Sequence, residues 1–590
     1  MKDSLSKTGL YKEGKFKRIF QRILPALILA SNLLIPNVRL NDNVAFASVS
    51  NQYRAYIPLV SSPPAKPLSS FLGVNQGPGA GNNGGYFEGN LDNYYLLSNN
   101  MKMIKMAGID RVRQYSSDNI IFSWNWNETS RGVYDWSKWD LFFDSARRAG
   151  LKVAPSIGNG VPSWASGSTD WKAIPTDLYN PLEDNSWGKY VEAFVRRYYS
   201  DLDMIEIWNE PDYMRGGVSA QFNGTVDDYI QMVKVAKQAI DKVDTEKKIK
   251  IIAPSSICAV GLNCSGSQKW SIEEFLLKAQ NVLSNTYYVS FHLYSWEGGV
   301  MWDYTGYYNA VKRTNDLARD YGLRVLLNET AFRGSDENLK ASSYVVFNVL
   351  TMGMSQFDGL YWYPYTESRN FTTPRSYRFS DVSSGTGSKG NEPDPYTYPI
   401  FTASEVFKDM LEDLSMENRP VKINTNSDVI LYKYINNKGK EVYVYWLNST
   451  TPTNFSLGTM GKRMLEVDLY GKYLGDYAGN LTATVMPKYL TSDTNWNSDR
   501  GKISGRVSTS VRSWDNGIST TLISAVNQGS RWFTTTTDFD GSYYFKNLPQ
   551  GNYTVTLVLS NAGVISPTSS YLTLNNGDPF GRTSFNVIAP

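Results

Sequence analysis

Two apolar stretches of this chain carry carboxylates where chemistry would need them. One reads Ile205-Glu206-Ile207-Trp208-Asn209-Glu210-Pro211, the other Leu326-Leu327-Asn328-Glu329-Thr330. Glu210 and Glu329 are 119 residues apart, each at the end of a strand-like run. A carboxylic acid that protonates an oxygen, facing a carboxylate that attacks the neighbouring carbon, is what cleavage of an acetal such as a glycosidic bond requires. Alternation along a strand puts Glu206, Trp208 and Glu210 on one face, with Glu206 deeper and structural. The chain has a single histidine, His292, which excludes a multi-histidine metal site and a pair of catalytic histidines. No metal or organic cofactor is expected.

The elements that must position these groups follow from hydrophobic periodicity. Strands are expected at Phe71–Gln76, Arg111–Tyr115, Leu151–Ile157, Met204–Trp208, Ile249–Ala253, Tyr288–Tyr294, Arg324–Asn328 and Gly359–Tyr363. Amphipathic helices are expected at Asn93–Ala107, Trp136–Arg148, Ser186–Tyr199, Asp227–Val243, Ile272–Val282, Tyr308–Tyr321, Lys340–Met354 and Ala403–Leu414. Eight strand–helix pairs over residues 71–418 predict an α/β fold, a (β/α)8 TIM barrel, whose active sites gather at the C-terminal strand ends. The alternative, an open doubly wound sheet, would want a phosphate-binding glycine turn opening a helix after the first strand. Gly73–Gly85 is glycine-rich but opens none. Strands four and seven lie nearly opposite in the barrel. Two all-β sandwich domains are expected to follow, at 419–498 and 503–590.

Of 590 residues, 41% are hydrophobic and 19% charged, which excludes a polytopic membrane protein and a mostly disordered chain. Residues 1–47 hold eight Lys/Arg against three Asp/Glu, so of the net +3 the rest of the chain carries −2. Nucleic acid is therefore not an expected partner. Residues 1–47 read as a signal peptide: a basic segment to Arg22, an apolar Ile23–Pro36, and Ala45-Phe46-Ala47 before the cut. An uncleaved N-terminal anchor is the alternative, and no other membrane contact is expected. Residues 48–70 are a Ser/Pro linker. A secreted, extracellular or cell-surface location follows, and there Cys258 and Cys264 are expected to form a local disulfide, two free thiols being the alternative. Aromatic residues make up 14%, including 40 Tyr and 16 Trp, and flat rings suit sugars.

The motif Trp208-Asn209-Glu210-Pro211 on strand four, with Asn328-Glu329 on strand seven, resembles glycoside hydrolase clan A over about residues 71–416. The resemblance implies a carbohydrate substrate, with Glu210 as acid/base, Glu329 as nucleophile, and Asn209 bonding the sugar 2-hydroxyl. It also implies that Arg113 on strand two pairs with the nucleophile and keeps it ionised. The His292-x-Tyr294 of strand six would bring Tyr294 near the nucleophile, and Trp362 on strand eight would floor the sugar subsite. A histidine that some clan members carry after strand three or in the strand-four loop is absent, and Asn159 stands in a position to substitute. Ser123–Trp136 and Pro162-Ser163-Trp164-Ala165 resemble families 39, 42 and 5, family 39 first and family 5 second. Thr537–Leu548 resembles carboxypeptidase regulatory-like modules, and contact of residues 503–590 with polysaccharide or cell wall is an expectation from that. Asp538 and Asp540 are read as a turn.

Retaining hydrolysis is the expected mechanism. Two close carboxyls resist double ionisation, so Arg113 would hold Glu329 as carboxylate and leave Glu210 protonated. Other readings stay open. Asn127-Glu128 and Asn391-Glu392 repeat the Asn-Glu pair, but in loops. Trp124, Trp126, Trp164, Trp296 and Trp302 sit on loops at the same mouth, as sugar platforms or as packing. A non-catalytic surface carbohydrate-binding or adhesion protein on a glycosidase-like barrel is the second function class, and transglycosylation the third.

Overall fold

The computed structural model describes residues 71–75, 101–114, 122–411 and 419–587, with interruptions that include 296–303, 369–379, 383–395 and 510–521. The expected signal peptide and linker, Trp296, Trp302, Glu392, Asp538 and Asp540 lie outside the described residues. Among the described residues no helix is long and apolar enough to cross a membrane.

Eight parallel strands close into a barrel: β1 (Leu72–Asn75), β2 (Arg111–Gln114), β3 (Lys152–Ile157), β4 (Met204–Ile207), β5 (Lys250–Ser256), β6 (Tyr287–Ser295), β7 (Arg324–Phe332) and β8 (Phe357–Trp362). Each strand pairs with its neighbours in sequence, and β1 pairs with β8. This is the expected TIM barrel. Its lower interior is plugged by Ala154, Met204, Ile252, Tyr288, Leu326 and Tyr361, one from each of β3 to β8. Tyr361 reaches across to β1, where a Cβ on Gly73 would collide with its ring, so that position must be glycine.

The helices form where periodicity and caps agree. They are α1 (Ser137–Ala149), α2 (Ser186–Tyr198), α3 (Val226–Val243), α4 (Ile272–Ala279), α5 (Tyr304–Asp320), α6 (Glu337–Met352) and α7 (Pro399–Met410). Residues 101–106 are also helical. Thr225 and Asp228 make a reciprocal capping box on α3. Asp336 caps α6 by accepting from Asn338 and Leu339, so the helix starts at Glu337, three residues ahead of the start read from periodicity. α7 begins at Pro399 rather than Ala403, because proline at the first helical position gives up a donor that has no partner there anyway.

The β-rich part forms mainly antiparallel sheets, with Gly501–Thr509 pairing parallel to Phe580–Arg582 and Phe585–Val587. Val421–Ile423, Val429–Ile435, Glu441–Leu447, Lys488–Thr491, Leu465–Val467 and Tyr473–Asp476 make one six-stranded sheet, beside the ribbon Thr453–Phe455 and Leu481–Ala483. Both faces of the large sheet are buried. Leu431, Tyr443, Tyr445 and Leu490 face a local core. Tyr432, Val442, Val444, Trp446 and Tyr489 belong to the barrel's own core. Ser342 on α6 donates to the Val485 carbonyl at 3.0 Å, and Arg419 donates to the Met354 carbonyl at 2.7 Å. The last segment builds a second pair of sheets around its own core of Ile523, Tyr543, Phe545, Tyr553, Val555 and Leu557.

The shared core predicts that barrel and first sheet fold together. A chain ending at 418 will leave in water the barrel surface that Tyr432, Val444, Trp446 and Tyr489 cover. Each buried side chain of that size contributes roughly 1.5–3 kcal/mol, against a whole-domain stability of about 5–15 kcal/mol. The truncated chain is expected to be insoluble, whereas one ending at 498 stays soluble and retains the full chain's unfolding midpoint for the barrel.

Candidate active site

The site is set by two departures from regular strand geometry. Beyond β4 the backbone turns left-handed at Trp208 (φ 66°) and again at Glu210 (φ 48°). Non-glycine residues there carry strain of about 1–3 kcal/mol that the surroundings must hold in place. Three hydrogen bonds do so: Trp208 N to the Ile157 carbonyl (2.8 Å), Asn209 N to Asn159 Oδ1 (3.0 Å) and Glu210 N to the Ser255 carbonyl (3.0 Å). The turn breaks the alternation read from sequence. Trp208 does not share a face with Glu206 and Glu210. It packs outward, 4.9 Å from the Phe222 ring, and donates its indole N–H to the Gln221 carbonyl.

The second departure is a bulge in β7. Leu327 pairs with Leu360 and Thr330 with Trp362, so two residues of β7 stand opposite one of β8. Asn328 and Glu329 therefore both point inward, against simple alternation. Asn328 Nδ2 donates to Glu206 Oε2 (2.8 Å) and Ser255 Oγ (2.8 Å), while Glu329 reaches the mouth.

Arg113 joins these pieces. Fully buried, it donates to Glu206 through Nε and Nη2 (2.7 and 2.6 Å), to Asn209 Oδ1 (2.8 Å), to Asn75 Oδ1 (2.7 Å) and to Glu329 Oε1 (2.8 Å). One guanidinium thus offsets two carboxylates, and Glu206 is the buried structural one. Tyr294 donates to Glu329 Oε2 (2.6 Å). His292 Nδ1 lies 2.7 Å from Glu210 Oε1 and 3.3 Å from Glu329 Oε2, and its Nε2 is 3.1 Å from Ser255 Oγ. Burial alone would raise the pKa of Glu329, but His292, Arg113 and the Tyr294 hydroxyl together hold it below the usual carboxylate value. Burial pushes the His292 pKa down, and Glu329 and Glu210 more than reverse that. The Tyr294 phenol is raised, by burial first and then by Glu329.

Arg113, Asn209, Glu210, His292, Tyr294 and Glu329 come together in one cluster. Trp362 does not, which corrects its assignment to the sugar subsite. It follows the inward Tyr361, so it points outward and is fully buried against the rings of Tyr344 and Phe347 on α6. The next residue, Tyr363, returns inward and sits 6.2 Å from the Tyr294 ring. Asn75, Ser255 and Tyr363 went unread in the sequence, although Asn75 ends β1 and was open to the same strand-end reasoning. Asn159 supports Asn209 through the backbone bond above. Glu128 is buried elsewhere, accepting from Trp124 Nε1 (2.6 Å) and Gly132 N (2.7 Å). Of the loop tryptophans, Trp124 is buried, Trp164 lies under Arg131, and Trp126 is half exposed.

Glu210, His292 and Glu329 place one ligand-type atom each within 4.8 Å of one another. Such a trio can hold a metal ion, but here Arg113 and Tyr294 already occupy both oxygens of Glu329, and both ring nitrogens of His292 are engaged. The donor set is satisfied by protein groups, and a cation would have to compete with the guanidinium.

Behind Glu210, the fully buried Asp212 accepts from Ser256 Oγ (2.6 Å), Gln268 Nε2 (2.8 Å) and Ile257 N (3.2 Å). It ties the β4 loop to the β5 loop, which the Cys258–Cys264 disulfide closes. Burial lifts the Asp212 pKa from 3.8 to about 6 despite these donors. A raised carboxyl pKa means that the folded state binds the extra proton between about pH 4 and 6, so stability falls as pH rises through that window. The difference corresponds to about 3 kcal/mol. Urea unfolding of Asp212→Asn at pH 4 and at pH 6.5 is expected to show that the variant has lost this contribution to the pH slope.

Residues 88–314 match the model of glycosyl hydrolases family 39. No curated protein matches the chain. Among solved structures, the chain is similar to a family 39 glycoside hydrolase from the gut symbiont Bacteroides cellulosilyticus WH2, at 16% identity and a TM-score of 0.53, over 72% of this chain and 81% of that one. It is also similar to a monomeric beta-xylosidase from Caulobacter crescentus CB15, at 15% identity and a TM-score of 0.48, over 72% and 97%. At such identities the likeness is one of fold. With the family 39 match on residues 88–314 and a pair of glutamates at the strand ends of a closed barrel, the chain is a glycosidase.

Proposed function

We propose that the chain is an exported, retaining glycosidase that cuts O-glycosidic bonds of an oligosaccharide or polysaccharide by double displacement. The observation that carries this reading is the spacing of Glu210 and Glu329, whose nearest oxygens lie within 4.8 Å. Retaining sites place their carboxyls about 5–5.5 Å apart, and inverting sites leave about 6.5–9.5 Å for a water. Glu329, held ionised by Arg113 and Tyr294, attacks the anomeric carbon. The bond to the leaving oxygen breaks as Glu210 gives that oxygen its proton. Glu210, now a carboxylate, takes a proton from water, and the resulting hydroxide equivalent displaces Glu329 from the sugar. With its Oδ1 taken by Arg113, Asn209 has Nδ2 to offer a sugar hydroxyl. Export is supported by the signal-like residues 1–47 and by the disulfide.

The test is release of sugar from a panel of aryl glycosides and polysaccharides, with the anomer of the first product followed by NMR. Activity with retained configuration is expected. Inverted product would overturn the mechanism. Inactivity of well-folded protein across the panel, together with saturable polysaccharide binding, would favour the carbohydrate-binding alternative.

A further inference from the structure

Ser255 stands behind the only histidine of the chain, and the partners of its hydroxyl among the described residues fix where its proton goes. Glu206 is doubly bound by Arg113, and a carboxylate only accepts. The group of Asn328 that lies 2.8 Å from Glu206 Oε2 is therefore its NH2, which fixes the orientation of the amide. That NH2 has two hydrogens. One goes to Glu206, the other to Ser255 Oγ, also at 2.8 Å. Among the described residues, Ser255 Oγ has one further partner, His292 Nε2 at 3.1 Å. The hydroxyl has a single proton, and it already accepts from Asn328. Its proton is left for Nε2, which must then accept and carry no hydrogen. The ring hydrogen is on Nδ1, 2.7 Å from Glu210 Oε1.

We infer that Ser255 is a positioning residue: it holds His292 as the Nδ1–H tautomer, so that Nδ1–H occupies Oε1 of Glu210 and the acid proton resides on Oε2. This deepens the reading of Glu210 as the acid and rests on it. The ring side chain is 1% exposed and that of Glu210 is 20% exposed, so the glutamate, not the histidine, meets the leaving group. A hydrogen on Nε2 would make Ser255 Oγ accept twice and strand its own proton in a fully buried place, where an unmet donor is costly. Glu210 and Glu329 pull the other way, toward a doubly protonated ring, while Arg113 opposes that charge. Glu329 is already answered by Arg113 and Tyr294, and Glu210 is uncharged while it holds the acid proton.

Because His292 is the only histidine, every imidazole signal of the full chain belongs to it. Protein labelled with 15N-histidine reports the tautomer directly, since Nε2 couples to both ring carbon-bound protons and Nδ1 to one. At the pH of maximal kcat, the expected spectrum has the doubly coupled nitrogen unprotonated. Ser255→Ala should move the signals toward protonation at Nε2. It should also lower kcat by about tenfold on a glycoside with a poor leaving group, with KM unchanged. Ser255→Thr, which keeps the hydroxyl, should restore both. A protonated Nε2 in the parent protein, or an unchanged spectrum in Ser255→Ala, overturns the inference. Glu210→Gln separates this from the reading beneath it. If that variant keeps its turnover of the same glycoside, the assignment of Glu210 as acid fails whatever the tautomer. If it is inactive while Nε2 is protonated, the inference about Ser255 fails alone.

Discussion

Glu329→Gln is expected to lower kcat by about 10^4- to 10^6-fold, the scale of losing a covalent nucleophile, while leaving the unfolding midpoint close to that of the parent. Glutamine keeps the shape: its one carbonyl oxygen can still accept from Arg113, which donates to the native carboxylate at 2.8 Å, and its NH2 replaces the oxygen that accepts from Tyr294 at 2.6 Å, where the phenolic oxygen can accept instead. What it cannot do is attack carbon. The matched substitution at the other carboxyl behaves differently. Glu210→Ala should lose about 10^2- to 10^4-fold, and less on aryl glycosides whose leaving group departs without a proton. Azide, which needs no base to attack, should restore turnover of Glu210→Ala and yield a glycosyl azide of retained configuration. Steady-state rates on one activated and one unactivated glycoside check both statements. Equal losses on the two substrates would contradict the division of labour.

The second large effect is on stability. Arg113→Met removes the one guanidinium that offsets Glu206 and Glu329, both buried. Breaking a buried pair from one side typically costs about 3–5 kcal/mol, because the stranded charge remains. Here two carboxylates are stranded, together with the oxygens of Asn75 and Asn209. Unfolding at neutral pH should show a loss of at least that size. Acidification should recover part of it, because protonating Glu206 or Glu329 removes the charge that Arg113 used to meet. The parent shows the opposite trend at Glu329: its depressed pKa contributes stability above the ordinary carboxylate value, which is lost as pH falls. Denaturant curves of the two proteins at pH 4 and pH 7 test the crossing of these trends. If Arg113→Met is destabilised equally at both pH values, the charge account is wrong and the loss is one of packing.

The eight barrel strands and their order were open to reading from sequence because hydrophobic periodicity is a local property. Glu210 and Glu329 could be found the same way, as carboxylates at the ends of apolar runs. Asn75 was within reach of that rule, but an uncharged asparagine leading into a glycine-rich stretch reads equally well as the start of a turn. Trp362 was misplaced by one residue of phase. On a strand, a shift of one turns a side chain from the mouth to the outer wall, and only the inward Tyr361, fixed by its fit against Gly73, settles the phase.

What the sequence alone determined is therefore the barrel, the strand ends and the two carboxylates, each recorded in a few consecutive residues. The tertiary structure decided the rest. The left-handed turn at Trp208 and Glu210 exists because groups from β5 and the end of β3 hold its backbone. The bulge that turns both Asn328 and Glu329 inward is defined by pairing with β6 and β8. The sharing of Arg113 between Glu206 and Glu329, and of Ser255 between Asn328 and His292, depends on side chains up to 216 residues apart. Hydrogen-bond partners and charge compensation are settled by proximity in space, and nothing in the neighbouring residues of the chain encodes them.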